Sequence, residues 1–326
     1  MHIGLIDVDD TDFPNLVLMK LSAWHKSQGD SVTLLKPDDV IKGQNLFQPW
    51  DKLIGACVFT RNMPIVELLR EQGADVAGIG TDDKRELPSE IEHIYPDYDL
   101  YGIKDTAYGF LSRGCPRGCP FCVVAGKEGK QSRKVADLSE WWHGQKKIML
   151  CDPNLLACPE RDDLLAQLID SKAWVDVNQG FDARLLNDSV IEKINALKIK
   201  NIHFAWDNPK DEVVPKMLKK FAESNSLNYR QRRVYVLTNY WSTLDEDLRR
   251  VYWLREHEFD PYVMIYEKEK APRQIRRLQR WVNNKIIFRS CERFDDYEFC
   301  KKAGEVFPQS RSKSNAEGTA VQQSAI

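Results

Sequence analysis

The strongest constraint on the fold of this chain is the alternation of strand-like and helix-like segments along most of its 326 residues. In the first part, the short apolar runs HIGLIDV, SVTLLK, KLIGACVFT and ADVAGIG are separated by segments with helical spacing of apolar residues. Alternation of this kind favours parallel strands that are covered by helices. We therefore predict an α/β fold in which residues 1–85 form a small Rossmann-like domain with a parallel sheet.

A second alternating series begins near residue 105, after a polar stretch at residues 86–104 that we predict to be a linker. Its strand candidates are YGFLSR, KIMLC, WVDVN, NIHFAW, VYVLT and YVMIY. Helix candidates separate them, the first of which is DLSEWWHGQ at residues 137–145. The strand candidates recur at roughly 30 residues, which is about the length of one βα unit. Six units predict a partial (β/α)6, TIM-like barrel over residues 105–290, with functional residues at the carboxyl ends of the strands.

The remaining composition suggests a soluble, cytoplasmic protein rather than a membrane or secreted one. The N-terminus has no signal-peptide pattern, and no apolar run reaches the length of a membrane span. The formal net charge of −2 gives no global attraction to nucleic acid or to an anionic membrane. We predict a C-terminal helix over residues 291–307 and a disordered tail over residues 308–326, which are poor in large apolar side chains.

The stretch RGCPRGCPFC places Cys115, Cys119 and Cys122 directly after the first strand of the second series. Glycines and prolines between them favour the tight turns that aim several thiolates at one centre. In a reducing compartment such cysteines are metal ligands more often than disulfides. Structural zinc takes four ligands, usually as two separated pairs, and no second pair has that spacing. The pattern favours an iron–sulfur cluster with one open iron, with zinc or chance clustering as alternatives.

The CPRGCPFC run, with Phe121 at its aromatic position, resembles the signature of the radical S-adenosylmethionine (radical SAM) enzymes. The resemblance implies that the three cysteines hold a [4Fe–4S] cluster and that S-adenosylmethionine chelates the open iron. Reductive cleavage would give a 5′-deoxyadenosyl radical that abstracts hydrogen from a substrate that the motif does not identify. The resemblance also implies an external electron donor such as flavodoxin or ferredoxin. Methyltransferase, methylthiotransferase-like and other radical reactions remain open, and no catalytic residue is assigned.

The same resemblance suggests cofactor contacts at the predicted strand ends of the first half of the barrel. Asp152 and Asn154 follow the second strand, where the family usually contacts the methionyl amine through a Gly-Gly-Glu-like run. The Asp-Pro-Asn sequence departs from that run, and its alternative is an ordinary turn. Phe121 would offer its backbone or ring to the adenine.

Further contacts are expected after the third and fourth predicted strands. Arg184 would pair with the methionyl carboxylate, and Gln179 and Asp182 would reach the same strand mouth. A surface loop with a local Asp–Arg pair is the alternative. Asp207 would bond the ribose hydroxyls, or else cap a helix N-terminus.

The N-terminal domain resembles the cobalamin-binding domain that precedes many barrels of this family, but its D-x-H-x-x-G motif is absent. A domain that shields or shapes the site is therefore favoured over one that binds cobalamin. IDVDDTDF matches the D-x-D-x-T phosphatase motif, but without a cap or a basic partner we interpret it as an acidic loop.

Two further alternatives concern binding rather than radical chemistry. Four arginines share one predicted helical face, and for them a solvated face is favoured over RNA contact; they are Arg273, Arg276, Arg277 and Arg280. A non-catalytic iron–sulfur, zinc-binding or electron-transfer protein is the alternative function for the whole chain.

Overall fold

The computed structural model of the protein describes residues 1–43 and 50–297. Contacts between residues divide the chain into two compact units. Of the described residues, the first unit contains 1–179 and 196–198, and the second contains 180–195 and 199–297. Both units are mixed α/β structures with parallel sheets, which confirms the predicted α/β class.

The first sheet of the first unit has four parallel strands in the order β2-β1-β3-β4. The strands are β1 His2–Asp7, β2 Ser31–Leu35, β3 Lys52–Ala56 and β4 Asp75–Ala77. Helices α1 Leu16–Ser27, α2 Pro37–Ile41 and α3 Met63–Glu71 alternate with them. The strand order reverses between β1 and β3, which is where open α/β sheets usually bind ligands.

The segment predicted as a linker, residues 86–104, lies inside the first unit and is packed. It contains a short helix α4, Ser89–Glu92. Tyr98 is buried, and its hydroxyl donates to the backbone oxygen of Trp141 at 2.7 Å. Ser22 of α1 donates to Asp97 at 2.6 Å. These bonds fix the segment against its surroundings.

The second sheet of the first unit joins three parallel strands in the order β5-β8-β9. They are β5 Thr106–Gly109, β8 Lys147–Leu150 and β9 Trp174–Val177. A separate antiparallel pair is formed by β6 Ser112–Arg113 and β7 Arg133–Lys134. Helices α5 Val124–Lys127 and α6 Arg161–Ser171 complete the region.

The sequence also predicted a helix over DLSEWWHGQ, and the structure has only a 3₁₀ turn there, Leu138–Glu140. The turn ends at Trp141, whose φ of −138° and ψ of 0° lie outside the helical region. Trp141 packs instead on the face of Gly109, where an added Cβ would lie 2.4 Å from the indole ring. Packing of Trp141 therefore overrides the local helical pattern.

The second unit holds a third parallel sheet in the order β10-β11-β12. The strands are β10 Ile202–Ala205, β11 Arg232–Thr238 and β12 Asp260–Ile265, and Phe181 bridges to Phe204 beside β10. The helices are α7 Asp188–Ala196, α8 Val213–Glu223, α9 Leu244–Glu256, α10 Arg273–Asn283 and α11 Lys285–Ser290. Part of its core is an aromatic cluster around the buried Trp281 and Phe288.

Across residues 1–43 and 50–297, no helix is both long and apolar enough to cross a membrane. Most of the C-terminal helix predicted over residues 291–307, and all of the tail predicted over residues 308–326, lie outside the described residues.

Candidate functional site

The three cysteines lie on a loop, residues 114–132, whose two ends are joined by the antiparallel β6–β7 pair. Arg113 pairs with Arg133 at the base of this loop. Inside it, the amide of Cys115 donates to the backbone oxygen of Gly129 at 3.2 Å. The amide of Cys122 donates to the oxygen of Cys119 at 2.9 Å, which closes a tight turn. The loop is thus anchored at its base and turned back on itself at its cysteines. We call residues 114–132 the cysteine loop.

Gly114 at the start of the cysteine loop is required by the close approach of the loop's two arms. Its φ is +87°, and an added Cβ would lie 2.1 Å from the backbone oxygen of Gln131. Gly118, in the same loop, has φ +56° but nothing within 4 Å of an added Cβ. Only the first glycine is therefore fixed by both backbone conformation and packing.

The cysteines of the cysteine loop are more exposed than the other described cysteines. Cys115 and Cys119 are half-buried and Cys122 is exposed, whereas Cys57, Cys151, Cys158 and Cys291 are buried. Burial raises the pKa of the Cys57 thiol to about 12 and that of Cys158 to about 11. Because a thiolate is the form that binds metal, the buried thiols are poor ligands.

The donor set of the cysteine loop fits an iron–sulfur cluster better than a metal that prefers oxygen. Three thiols project from one loop and two of them are partly shielded from solvent. Among the residues that the structure describes, no three His, Cys, Asp or Glu side chains are already arranged around a metal position. Cys115, Cys119 and Cys122 are the residues that would hold the cluster.

The turn after β8 supports the cysteine loop through Asp152. This carboxylate is fully buried and accepts hydrogen bonds from the amides of Leu111 at 2.8 Å and Ser112 at 2.6 Å. The Ser112 hydroxyl donates to it as well. Burial raises the pKa of Asp152 to about 7, although these hydrogen bonds oppose the shift. Both oxygens of Asp152 therefore hold the strand that leads into the cysteine loop.

Asn154 contacts the cysteine loop itself. Its side-chain amide lies 3.6 Å from Cys115 Sγ, and its backbone oxygen accepts from the hydroxyl of Ser132 at 3.2 Å. Ser132 is buried at the far end of the loop. The turn thus contacts both arms of the loop, and we refer to Asp152 and Asn154 as the loop clamp. The sequence had suggested cofactor contacts for both residues, and these remain predictions.

Phe121 and Gln179 are the other predicted site residues in the first unit. Phe121 is half-buried between Cys119 and Cys122, and Gln179 is half-buried two residues beyond the end of β9. Both follow carboxyl ends of the second sheet, as predicted. Their cofactor roles remain predictions.

In the second unit, Asp182 and Arg184 form a local ion pair. Asp182 Oδ1 accepts from Arg184 Nε at 2.7 Å and from the Arg184 amide at 3.2 Å. Arg184 Nη1 lies 3.6 Å from Asp211 Oδ2. The local Asp–Arg pair that the sequence offered as the alternative is therefore present. The Arg184 side chain is 32% exposed. Its contact with the methionyl carboxylate of the cofactor stays a prediction.

Asp207 follows β10 and does not cap α8, which begins at Val213. Burial raises the pKa of Asp207 to about 6, against the opposing charges of Arg250 and Arg184. A buried carboxyl group with a raised pKa at a strand end is a candidate for a functional residue. The predicted bond to ribose hydroxyls remains a prediction.

Sequence reasoning missed Arg250, which organises the backbone around Asp207. This fully buried guanidinium donates to the backbone oxygens of Trp206 at 2.5 Å, Asp207 at 2.8 Å and Leu237 at 2.8 Å. Asp247, also fully buried, is its counter-ion at 2.5 Å. The available signal was an arginine among the apolar positions of α9. Arg250 therefore ties the carboxyl ends of β10 and β11 together.

The carboxyl edge of the first sheet is occupied by the protein's own polar groups. Asp9 accepts from the amides of Val58 at 2.7 Å and Phe59 at 3.3 Å, and from Asn62 Nδ2 at 2.8 Å. Asp7 accepts from the hydroxyl of Tyr101 at 2.8 Å. These contacts match the predicted acidic loop.

The histidine nearest to the missing cobalamin motif does not lie at this edge. His25 is near the end of α1, just before β2, where it is buried and bonded to Asp30 at 2.8 Å. The carboxyl edge itself is closely packed. Gly78 approaches β3 so closely that an added Cβ would lie 2.4 Å from the oxygen of Cys57. The loops after β3 and β4 are thus packed against each other.

Comparisons with known proteins give one curated relative. The tRNA-2-methylthio-N(6)-dimethylallyladenosine synthase of Flavobacterium psychrophilum is 24% identical over 190 residues. The match covers 50% of this chain and 35% of the relative, so the chain spans about a third of that protein's length. No family model matches the chain.

Among solved structures, the chain is similar to Streptococcus suis SuiB in two crystal structures, one bound to the precursor peptide SuiA and one bound to S-adenosylmethionine. The identities are 15% and 14%, the TM-score is 0.42 in both, and 71% of this chain and 59% of SuiB are covered. Similarity at this level does not establish a shared fold.

The curated relative is a radical SAM methylthiotransferase, and the cysteine motif of this chain pointed to the same superfamily. The resemblance to the radical S-adenosylmethionine enzymes is thereby confirmed, with the reaction type left open.

Proposed function

We propose that this chain is a radical SAM enzyme whose cysteine loop holds a [4Fe–4S] cluster through Cys115, Cys119 and Cys122. The observation that carries the proposal is the loop itself. It follows the first strand of a parallel sheet, is closed at its base by the β6–β7 pair and contains the most accessible cysteines described. Three thiolates leave one iron without a protein ligand, which is a position for a small chelating cofactor.

The cluster and S-adenosylmethionine would together supply a 5′-deoxyadenosyl radical that abstracts a hydrogen atom from substrate. The protein's contribution is to bind, orient and shield these groups. The loop clamp supports the cluster ligands, and Phe121 lies between two of them. Gln179, Asp182, Arg184 and Asp207 are proposed to contact the cofactor, and an external flavodoxin or ferredoxin is proposed as electron donor.

We further propose that the six parallel strands β5, β8, β9, β10, β11 and β12 belong to one partial (β/α)6 barrel. Their sequential order within the two three-stranded sheets supports this arrangement. The preceding sheet would be a Rossmann-like domain that shields the site rather than binding cobalamin, because its polar edge groups bond one another.

The test is anaerobic reconstitution with iron and sulfide, followed by reduction in the presence of S-adenosylmethionine. The wild-type chain should bind iron and sulfide in equal amounts and release 5′-deoxyadenosine. Cys119→Ala should lose both, while Cys57→Ala, which removes a buried thiol at the first sheet, should keep both. Equal behaviour of the two variants would contradict the assignment.

The products discriminate among reactions. 5′-Deoxyadenosine alone indicates hydrogen abstraction only, and additional S-adenosylhomocysteine indicates methyl transfer. Stoichiometric zinc without sulfide, or a cluster that ignores S-adenosylmethionine, would favour the non-catalytic alternative.

A further inference from the structure

Helix α10 of the second unit presents three arginines on its solvent side. Arg273, Arg276 and Arg280 are all exposed. The opposite side of the helix is buried and apolar, with Ile275, Leu278, Trp281 and Val282. The helix therefore needs only its apolar side for packing. We call the three exposed residues the arginine face.

The arginine face differs from the other arginines of the described chain. Each of those has an interaction partner, for example Arg85 with Asp75, Arg184 with Asp182 and Arg249 with the oxygen of Pro209. Within residues 1–43 and 50–297, Arg273, Arg276 and Arg280 have no such partner. The three described arginines that lack such a partner are thus on one helix.

Electrostatics makes part of this placement unfavourable for the helix alone. The N-terminal end of a helix carries positive partial charge, which repels basic side chains, and α10 begins at Arg273 with no acidic residue in its first turn. Arg280 lies in the last turn, where a basic side chain is favourable, but it is four residues from Arg276, and like charges at that spacing repel each other. A bound polyanion would remove both repulsions.

We propose that the arginine face binds the phosphodiester backbone of a nucleic acid strand. Guanidinium groups match phosphate oxygens in a two-pronged geometry. From Arg273 to Arg280 the face extends over about 10 Å at the rise of an α-helix. An anionic membrane fits less well, because α10 exposes none of its large apolar side chains for insertion into a bilayer. RNA and DNA share the backbone chemistry, and the sugar distinguishes them.

The experiment measures binding of the full chain to fluorescent single-stranded RNA and to DNA of the same sequence, over a range of salt concentrations. Wild-type protein should bind, and its affinity should fall with salt. Replacing all three arginines by glutamine should weaken binding about tenfold or more, and should lower the slope of log affinity against log salt by about 2. The Arg→Lys triple variant should keep most of the slope.

The matched control replaces three exposed lysines elsewhere, Lys104, Lys216 and Lys219, by glutamine. It removes the same charge and should keep most of the affinity. Equal losses in both triple variants, or no binding of either nucleic acid by wild type, would overturn the proposal. So would selective binding to anionic phospholipid vesicles or to polyglutamate. The measurement requires neither cluster nor cleavage, so its outcome is independent of the proposed reaction.

Discussion

The carboxyl edges of the first and second sheets use acidic residues in opposite ways. After β1, Asp9 bonds to the loop that follows β3 and fills the edge with the protein's own groups. After β8, Asp152 bonds to the chain that leads out of β5 and so supports a loop with accessible thiols. One carboxylate closes its edge, and the other holds a binding loop in place.

The comparison teaches that the carboxyl edge of an open α/β sheet can bind a ligand only where the protein's own carboxylates do not already occupy the backbone amides of that edge. At the first sheet the amides of Val58 and Phe59 are satisfied by Asp9. An anion would therefore have to displace a carboxylate that is already bound. At the second sheet the buried carboxylate accepts from the amides of the strand that leads into the cysteine loop, so it supports that loop instead of filling the edge.

The largest effect is expected for Gly114→Ala. This variant tests whether iron binding at the carboxyl edge of the second sheet depends on the geometry of the cysteine loop. An alanine there has an unfavourable φ of +87° and meets the oxygen of Gln131. We expect a loss of about 3 kcal/mol or more in unfolding free energy and a low iron content after reconstitution. Gly118→Ala, with open space around its Cβ, should cost about 1 kcal/mol. Equal costs would contradict the packing argument.

Asp152→Asn tests the loop clamp directly. An asparagine NH₂ group would face one of the amides that the carboxylate now accepts, so a buried donor loses its partner. We expect about 2–4 kcal/mol of destabilisation, together with faster reaction of the loop thiols with a thiol reagent. Asp170→Asn, at an exposed position of α6, should change neither quantity. Unchanged thiol reactivity in Asp152→Asn would show that Asp152 does not support the cysteine loop.

Asp9→Ala should make the first edge behave more like an open site. Removal of the carboxylate leaves three donors without an acceptor, at a cost of about 2 kcal/mol. Added sulfate should then raise the melting temperature of the variant more than that of wild type, because it replaces the lost acceptor. Iron content should stay at the wild-type level. Asp10→Asn, which removes the charge of an exposed pair with Lys36 and suits the φ of 41° at this position, is the control.

Asp207→Asn adds the third sheet to the comparison and should have the smallest effect. Burial raises the pKa of Asp207 from 3.8 to about 6, so the folded protein holds a proton that the unfolded chain releases. Wild type should therefore lose stability relative to the variant as pH rises from about 4 to about 6, by about 1–3 kcal/mol. Urea unfolding of both proteins across this range measures the difference. If the unfolding free energies of the two proteins change with pH in parallel, the raised pKa of Asp207 is contradicted.

Much of the fold and part of the site could be predicted from sequence because their signals are local. Strand and helix alternation is set by neighbouring residues, and the cysteine spacing lies within one loop. The helix predicted over residues 137–145 was wrong because Trp141 leaves the helical region and packs on Gly109. Arg250 was missed because its partners come from β10 and β11 rather than from its own helix.

The sequence by itself determined the α/β class and the chemistry of the thiol donors. Tertiary structure decided which charged side chains are used by the fold and which remain open to ligands. Asp152 bonds to Ser112, 40 residues away, and Arg250 bonds to Trp206, 44 residues away. The arginine face, in contrast, is defined by the lack of partners within the described residues. Local periodicity is encoded by neighbours in the chain, whereas hydrogen-bond and charge partners are chosen only when distant segments meet.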